Sequence, residues 1–144
     1  MGDLQRLVRI HYEGVNSGDL DTAGSVFAED CENVSPHGTL KGIEAFRQMG
    51  EAFRAAAPDN RLEALHTWEA GDTVIVEGVY TGTQTGPLAG PDGVIQATGR
   101  RFSLPYVDIF QARDGRFVSH RIYWDNATLL AQLGVMPDPA GIRA

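Results

Sequence analysis

The chain has 144 residues, 42% hydrophobic and 22% charged, with a formal net charge of -7. A chain of this length buries roughly 68–70% of its unfolded surface, enough for one core without metal or disulfide. The acidic balance argues against a nucleic-acid surface and against an anionic membrane as partner, and the single Cys31 excludes an intramolecular disulfide.

Lone cysteine usage suits a reducing cytoplasm, which is the expected location. No stretch approaches the ~20 apolar residues of a membrane span. The N-terminus opens no long apolar run, so no signal peptide is expected.

Leu4, Leu7, Val8, His11, Tyr12 and Val15 fall on one stripe of an α-helix. Asp3 is the expected N-cap, and Asn16-Ser17-Gly18 ends the helix. Asp19 caps a second helix with Leu20, Ala23, Val26 and Phe27 on one face. Residues 31–40 read as loop with a short extended piece, broken by Pro36 and Gly38. Ile43, Phe46, Gly50, Phe53 and Ala57 step by three and four, so a third helix runs to Pro58.

The period then changes. Residues 61–70 give a moderate strand signal and Thr73 to Thr85 a strong one, rich in Val, Ile, Thr and Tyr. Residues 86–100 read as a long loop. Arg101 to Ala112 and Arg116 to Trp124 are strands joined by an Asp114-Gly115 turn. Asn126 to Leu133 is a short amphipathic helix. Residues 1–136 are expected to form one domain and 137–144 a flexible C-terminal tail. Helices followed by antiparallel strands mean an α+β fold.

Alternation puts Phe102, Leu104, Tyr106, Asp108 and Phe110 on one face of a strand. On the next strand His120, Ile122 and Trp124 share a face, with Val118 and Arg116 before them. A two-residue turn places Asp108 opposite Arg121 and Tyr106 opposite Tyr123. A bulge moves the pairing by one and sets Asp108 against His120 or Ile122. Asp108 is therefore either an ion-pair partner of Arg121 or a pocket residue shared with His120.

A mid-strand carboxylate between Val107 and Ile109 needs water or a partner. His11, on the helix stripe, reads as structural. His37 reads as exposed near a pocket mouth, and His66 has no evident partner. Tyr12, Phe27, Phe46, Phe53, Trp68, Tyr80, Phe102, Phe110, Ile122 and Trp124 are the candidate pocket wall. No two histidines have metal-ligand spacing, so no metal is expected. Cys31 has no nearby base for nucleophilic work, and the glycine-rich stretch lacks a nucleotide-binding pattern.

Asp114-Gly115-Arg116-Phe117-Val118-Ser119-His120-Arg121, then Trp124-Asp125 and Leu129-Leu130-Ala131-Gln132-Leu133-Gly134, resemble the carboxyl end of SnoaL-like polyketide cyclases. Asn16-Ser17-Gly18-Asp19-Leu20, Phe27-Ala28-Glu29-Asp30 and Lys41-Gly42-Ile43-Glu44-Ala45-Phe46 resemble the family's helical half. Thr81-Gly82-Thr83 and Thr98-Gly99-Arg100-Arg101 resemble its middle. The resemblance covers about residues 3–136.

It implies a ketosteroid-isomerase-like, cone-shaped barrel. A curved, mixed but mainly antiparallel sheet would enclose an apolar cavity, with three N-terminal helices over its concave face. It further implies a homodimer, no cofactor, and an aldol-type ring closure on a polyketide ester.

Carried over by position, the family's asparagine falls on Asn33, its catalytic aspartate on Ile122, and its glutamine and histidine on Tyr106 and Asp108. Asp108 restores a carboxylate on the neighbouring strand. The expected function is cofactor-independent acid/base chemistry on a small hydrophobic carbonyl compound. Asp108 would be the base, Tyr106 and Asn33 polar stabilisers, and His120 a group sharing the proton. Two other readings stay open. One is a non-catalytic binder of a small hydrophobic molecule. The other is epoxide opening by water, with Arg121 assisting Asp108.

Overall fold

The computed structural model describes residues 2–90 and 92–137; the tail expected at 137–144 lies almost entirely outside them. Helix α1 spans Asp3–Ser17 and buries Val8, His11 and Tyr12. Gly2, not Asp3, occupies its N-cap without a side-chain bond; Asp3 sits in the first turn, where its charge suits the helix dipole. Helix α2 spans Leu20–Gly24, and Asp19 caps it by accepting from the Thr22 N–H at 3.1 Å.

The two helices touch at Gly14. A methyl group there would lie 2.3 Å from the Ala23 backbone nitrogen. Gly14→Ala is expected to destabilise the fold by about 1–3 kcal/mol through overpacking. Chemical denaturation measures it, and an unchanged midpoint would show that α2 simply moves away.

Strand β1 runs Phe27–Ser35 and pairs with β2, Gly38–Lys41. Here the structure departs from the sequence reading. Val26 and Phe27 lie beyond α2, and the expected loop is a hairpin. Glu29, Asp30, Glu32 and Asn33 are poor strand formers, but β1 is paired on both sides, and that pairing outweighs local preference. Strands therefore also precede helix α3, Ile43–Ala56.

Strands β3, Arg61–Ala70, and β4, Thr73–Thr83, follow. The expected long loop holds a two-stranded hairpin, β5 Leu88–Gly90 with β6 Gly93–Ile95. Strand β7 spans Arg101–Arg113, β8 Arg116–Trp124, and helix α4 Asn126–Gln132.

The six-stranded sheet has the order β2-β1-β8-β7-β4-β3. All neighbours are antiparallel except β1 and β8, so the sheet is mixed. It is curved but not closed: β2 and β3 remain free edges, and the barrel expected from the resemblance is an open one. Helix α1 lies against β3 and β4, and α3 against β1. The main core between them holds Val8, Tyr12, Phe27, Phe46, Val74, Val76, Phe110 and Phe117. A second core gathers Ala57, Phe102, Leu104, Leu129 and Leu133 beneath α4.

Candidate active site

Strand β7 buries Phe102, Leu104, Tyr106, Asp108 and Phe110 and turns the alternate residues outward. Its register with β8 shifts between Gln111 and Ala112. Above that bulge Asp108 faces Ile122 and Tyr106 faces Trp124. Arg121 pairs with Ile109 and is exposed, so it makes no ion pair with Asp108. The same shift turns Phe117 inward in place of Val118 and Arg116.

His120 stands opposite Phe110, diagonal to Asp108 and within reach of it. On the other side of β8, β1 sets Asn33 beside His120. Asp108, Asn33 and His120 are all buried, Asp108 to 1% exposure.

These groups form one hydrogen-bonded chain. The Tyr106 hydroxyl donates to the Tyr12 hydroxyl oxygen at 3.0 Å, and Tyr12 donates to Asp108 Oδ2 at 2.5 Å. His120 Nε2 donates to Asp108 Oδ1 at 2.7 Å. His120 Nδ1 lies 3.1 Å from Asn33 Oδ1, and Asn33 Nδ2 donates weakly to Cys31 Sγ at 3.4 Å. Both carboxylate oxygens thus have a hydrogen-bond partner, which offsets the cost of burying Asp108.

Burial, reinforced by Asp108, pushes the Tyr12 hydroxyl far above its ordinary range; burial raises Tyr106 likewise. Both stay protonated and act as donors. The Tyr106 ring folds back over Gly78, its partner on β4: a side chain at 78 would come within 2.5 Å of the Tyr106 hydroxyl. The small residue at 78 is what lets that hydroxyl reach Tyr12.

A cavity of about 100 Å³ opens beside this chain. Tyr106 and His120 line it, together with Phe46, Phe53, Tyr80, Ile122 and Trp124. Asp108 and Asn33 do not; they lie behind Tyr106 and His120. Five other candidate wall residues are also elsewhere. Tyr12 reaches under the wall to Asp108, Phe27 and Phe110 are packed in the main core, and Phe102 belongs to the second core. Trp68 is 52% exposed, because β3 is an edge strand whose residues beyond Leu62 are all exposed.

The rest of the wall is mostly aliphatic, including Val15, Leu20, Met49, Leu62, Leu104 and Leu129. His37 is exposed and sets its ring against Phe53 and Trp124, at 6.1 and 5.3 Å between centroids, at the edge of the cavity. Among the described residues no cluster of His, Cys, Asp or Glu could hold a metal ion, and no helix is long and apolar enough to cross a membrane.

Two polar wall residues were missed by the sequence reading, His11 and Asn60. His11 sits on the α1 stripe like any core residue, and only its chemistry marked it. It is 3% exposed, and its Nδ1 donates to the Ala23 carbonyl at 2.9 Å. Burial lowers its pKa to about 4, helped by the charge of His120.

The unfolded chain therefore takes up this proton first, and stability falls as pH drops from about 6.5 towards 4. The loss attributable to His11 is up to about 3 kcal/mol. His11→Asn keeps an N–H for Ala23 and removes the titration, so stability measured by urea unfolding should fall less steeply in that window. Parallel pH curves for both proteins would contradict this.

The polyketide cyclase family described as SnoaL-like matches residues 5–133. The chain belongs to this family. It is 30% identical over 142 residues to the aklanonic acid methyl ester cyclase DnrD of Streptomyces peucetius, covering 95% of each chain. It has the same identity over 142 residues to the corresponding cyclase DauD of Streptomyces sp. (strain C5), covering 95% of this chain and 86% of the relative. Among solved structures, TsrD from Streptomyces laurentii superposes with a TM-score of 0.82 at 28% identity, covering 93% of this chain and 96% of TsrD. In this SnoaL-like chain the buried carboxylate sits on β7, directly across the sheet from Ile122.

Proposed function

We propose that this SnoaL-like protein is a cofactor-independent acid/base enzyme for a small, largely apolar carbonyl compound, with ring closure by an aldol step as its reaction. The observation that carries this reading is the direction of the hydrogen bonds: Tyr106 donates to Tyr12, and Tyr12 donates to Asp108. Each bond points from the cavity wall inward to a carboxylate.

A substrate C–H beside a carbonyl, placed at the Tyr106 oxygen, breaks and gives its proton to Tyr106, its electron pair passing to the carbonyl oxygen. Tyr106 passes its own proton to Tyr12, and Tyr12 passes its proton to Asp108 Oδ2. The substrate is left as an enolate, and Asp108 as a carboxylic acid held by His120. The enolate carbon then attacks a second carbonyl, one carbon–carbon bond forms, and the alkoxide recovers a proton by the reverse route. Asp108 acts through the tyrosines rather than by direct contact. His120, anchored by Asn33, orients the carboxylate through its hydrogen bond to Oδ1.

The two relatives named as aklanonic acid methyl ester cyclases support a methyl ester as substrate class. The epoxide reading loses its arginine, since Arg121 lies on the outer face. That face also exposes Trp68 and Tyr123, and we place the contact of a homodimer there; sedimentation as a monomer would refute it.

The test of function is deuterium uptake from heavy water into the activated methylene of ethyl benzoylacetate. Wild-type protein should accelerate exchange well above buffer. Binding of the ester without any acceleration would favour the non-catalytic binder instead.

A further inference from the structure

Two cavity-lining side chains are pinned by backbone carbonyls on their donor side. His11 Nδ1 gives its hydrogen to the Ala23 carbonyl at 2.9 Å, which fixes the tautomer and leaves Nε2 bare. Asn60 Nδ2 gives a hydrogen to the Ala57 carbonyl at 2.7 Å, which fixes the amide orientation and leaves Oδ1 bare. Both residues are more than nine-tenths buried, at 3% and 6% exposure.

Among the described residues no sealed side-chain nitrogen or oxygen lacks a hydrogen-bond partner. The two free acceptors are therefore open to the cavity that both residues line. The neighbouring polar groups do not serve them: the Tyr106 proton is spent on Tyr12, and both His120 nitrogens are engaged.

We infer that His11 and Asn60 are specificity-determining residues that select a substrate carrying two hydrogen-bond donors, the hydroxyls of a polyphenol or enol. This rests on the reading of the cavity as the substrate site. A ligand hydroxyl supplies the hydrogen each acceptor lacks, whereas a methyl ether strips water from the acceptor and returns nothing. The low pKa of His11 acts in the same direction, because Nε2 carries no proton at neutral pH. The aliphatic remainder of the wall favours an aromatic frame between the two hydroxyls.

Calorimetry with the regioisomeric dihydroxynaphthalenes and their dimethyl ethers tests this. The best diol should bind wild-type protein at least about tenfold more tightly than its dimethyl ether. In His11→Phe, which has no acceptor at position 11, and in Asn60→Ala, that gap should shrink to about threefold or less. Should one variant fail to fold, the other decides the matter.

Equal affinity for diols and ethers, a gap that survives in the folded variants, or no diol binding at all would each overturn the inference. Deuterium exchange without diol preference would sink this inference and leave the acid/base reading standing. Diol preference without exchange would do the reverse.

Discussion

Asp108→Asn should lower turnover by about 10²–10⁴-fold, the range for losing a general acid/base, while the protein keeps its fold. The change preserves shape and alters only charge and proton capacity. Asp108 ends both arms of the hydrogen-bonded chain, taking Tyr12 on one oxygen and His120 on the other. An amide at 108 cannot accept the proton that Tyr12 delivers.

Tyr12→Phe separates the two arms. It cuts the route from Tyr106 and leaves the His120–Asp108 pair intact, so it should lose comparable activity. Both variants are read by deuterium exchange alongside a thermal melt. Activity within about threefold of wild type in a folded Asp108→Asn protein would remove the carboxylate from the reaction. Full activity in Tyr12→Phe alone would require a direct path from the substrate to Asp108.

Phe27→Ala should cost about 3–5 kcal/mol of stability, the range for deleting a buried aromatic ring. Phe27 is 0% exposed and packs on Phe46, Phe110 and Phe117, with ring centroids 4.8, 6.3 and 5.9 Å away. It also contacts the rings of His11 and His120 at 5.2 and 5.8 Å. It stands where α2 ends and β1 begins, so the ring holds the start of β1 against the sheet. The expected loss is a large part of the 5–15 kcal/mol typical of a domain. Denaturation by urea measures it; a loss below about 1 kcal/mol would mean that the surrounding rings close the gap.

Where pattern is local, the sequence was legible. The stripe Leu4, Leu7, Val8, His11, Tyr12 is helix α1, because every third or fourth residue meets the sheet. The Val- and Ile-rich run from Thr73 is β4. The alternation from Phe102 to Phe110 put Asp108 on one face with Phe102, Leu104, Tyr106 and Phe110, since side-chain direction follows position in a strand, and the structure buries that face.

Strand β1 was not legible. Its acidic and amide residues have little intrinsic strand preference, and its pairing partner β8 lies more than eighty residues away. Asn60 gave no signal either, because an asparagine after Pro58-Asp59 reads as turn. Only the fold brings its oxygen to a cavity.

Composition and periodicity alone thus determined an acidic α+β chain with a carboxylate in mid-strand on the same face as Phe102, Leu104, Tyr106 and Phe110, for those properties depend on neighbours in sequence. The bulge beyond Gln111 decided what the carboxylate meets, replacing Arg121 with Ile122 across the strand and bringing His120 diagonally to it. The packing of α1 decided that Tyr12 would cap its second oxygen. Both are contacts between distant segments, and a single extra residue in a ladder reverses which side chains share a face.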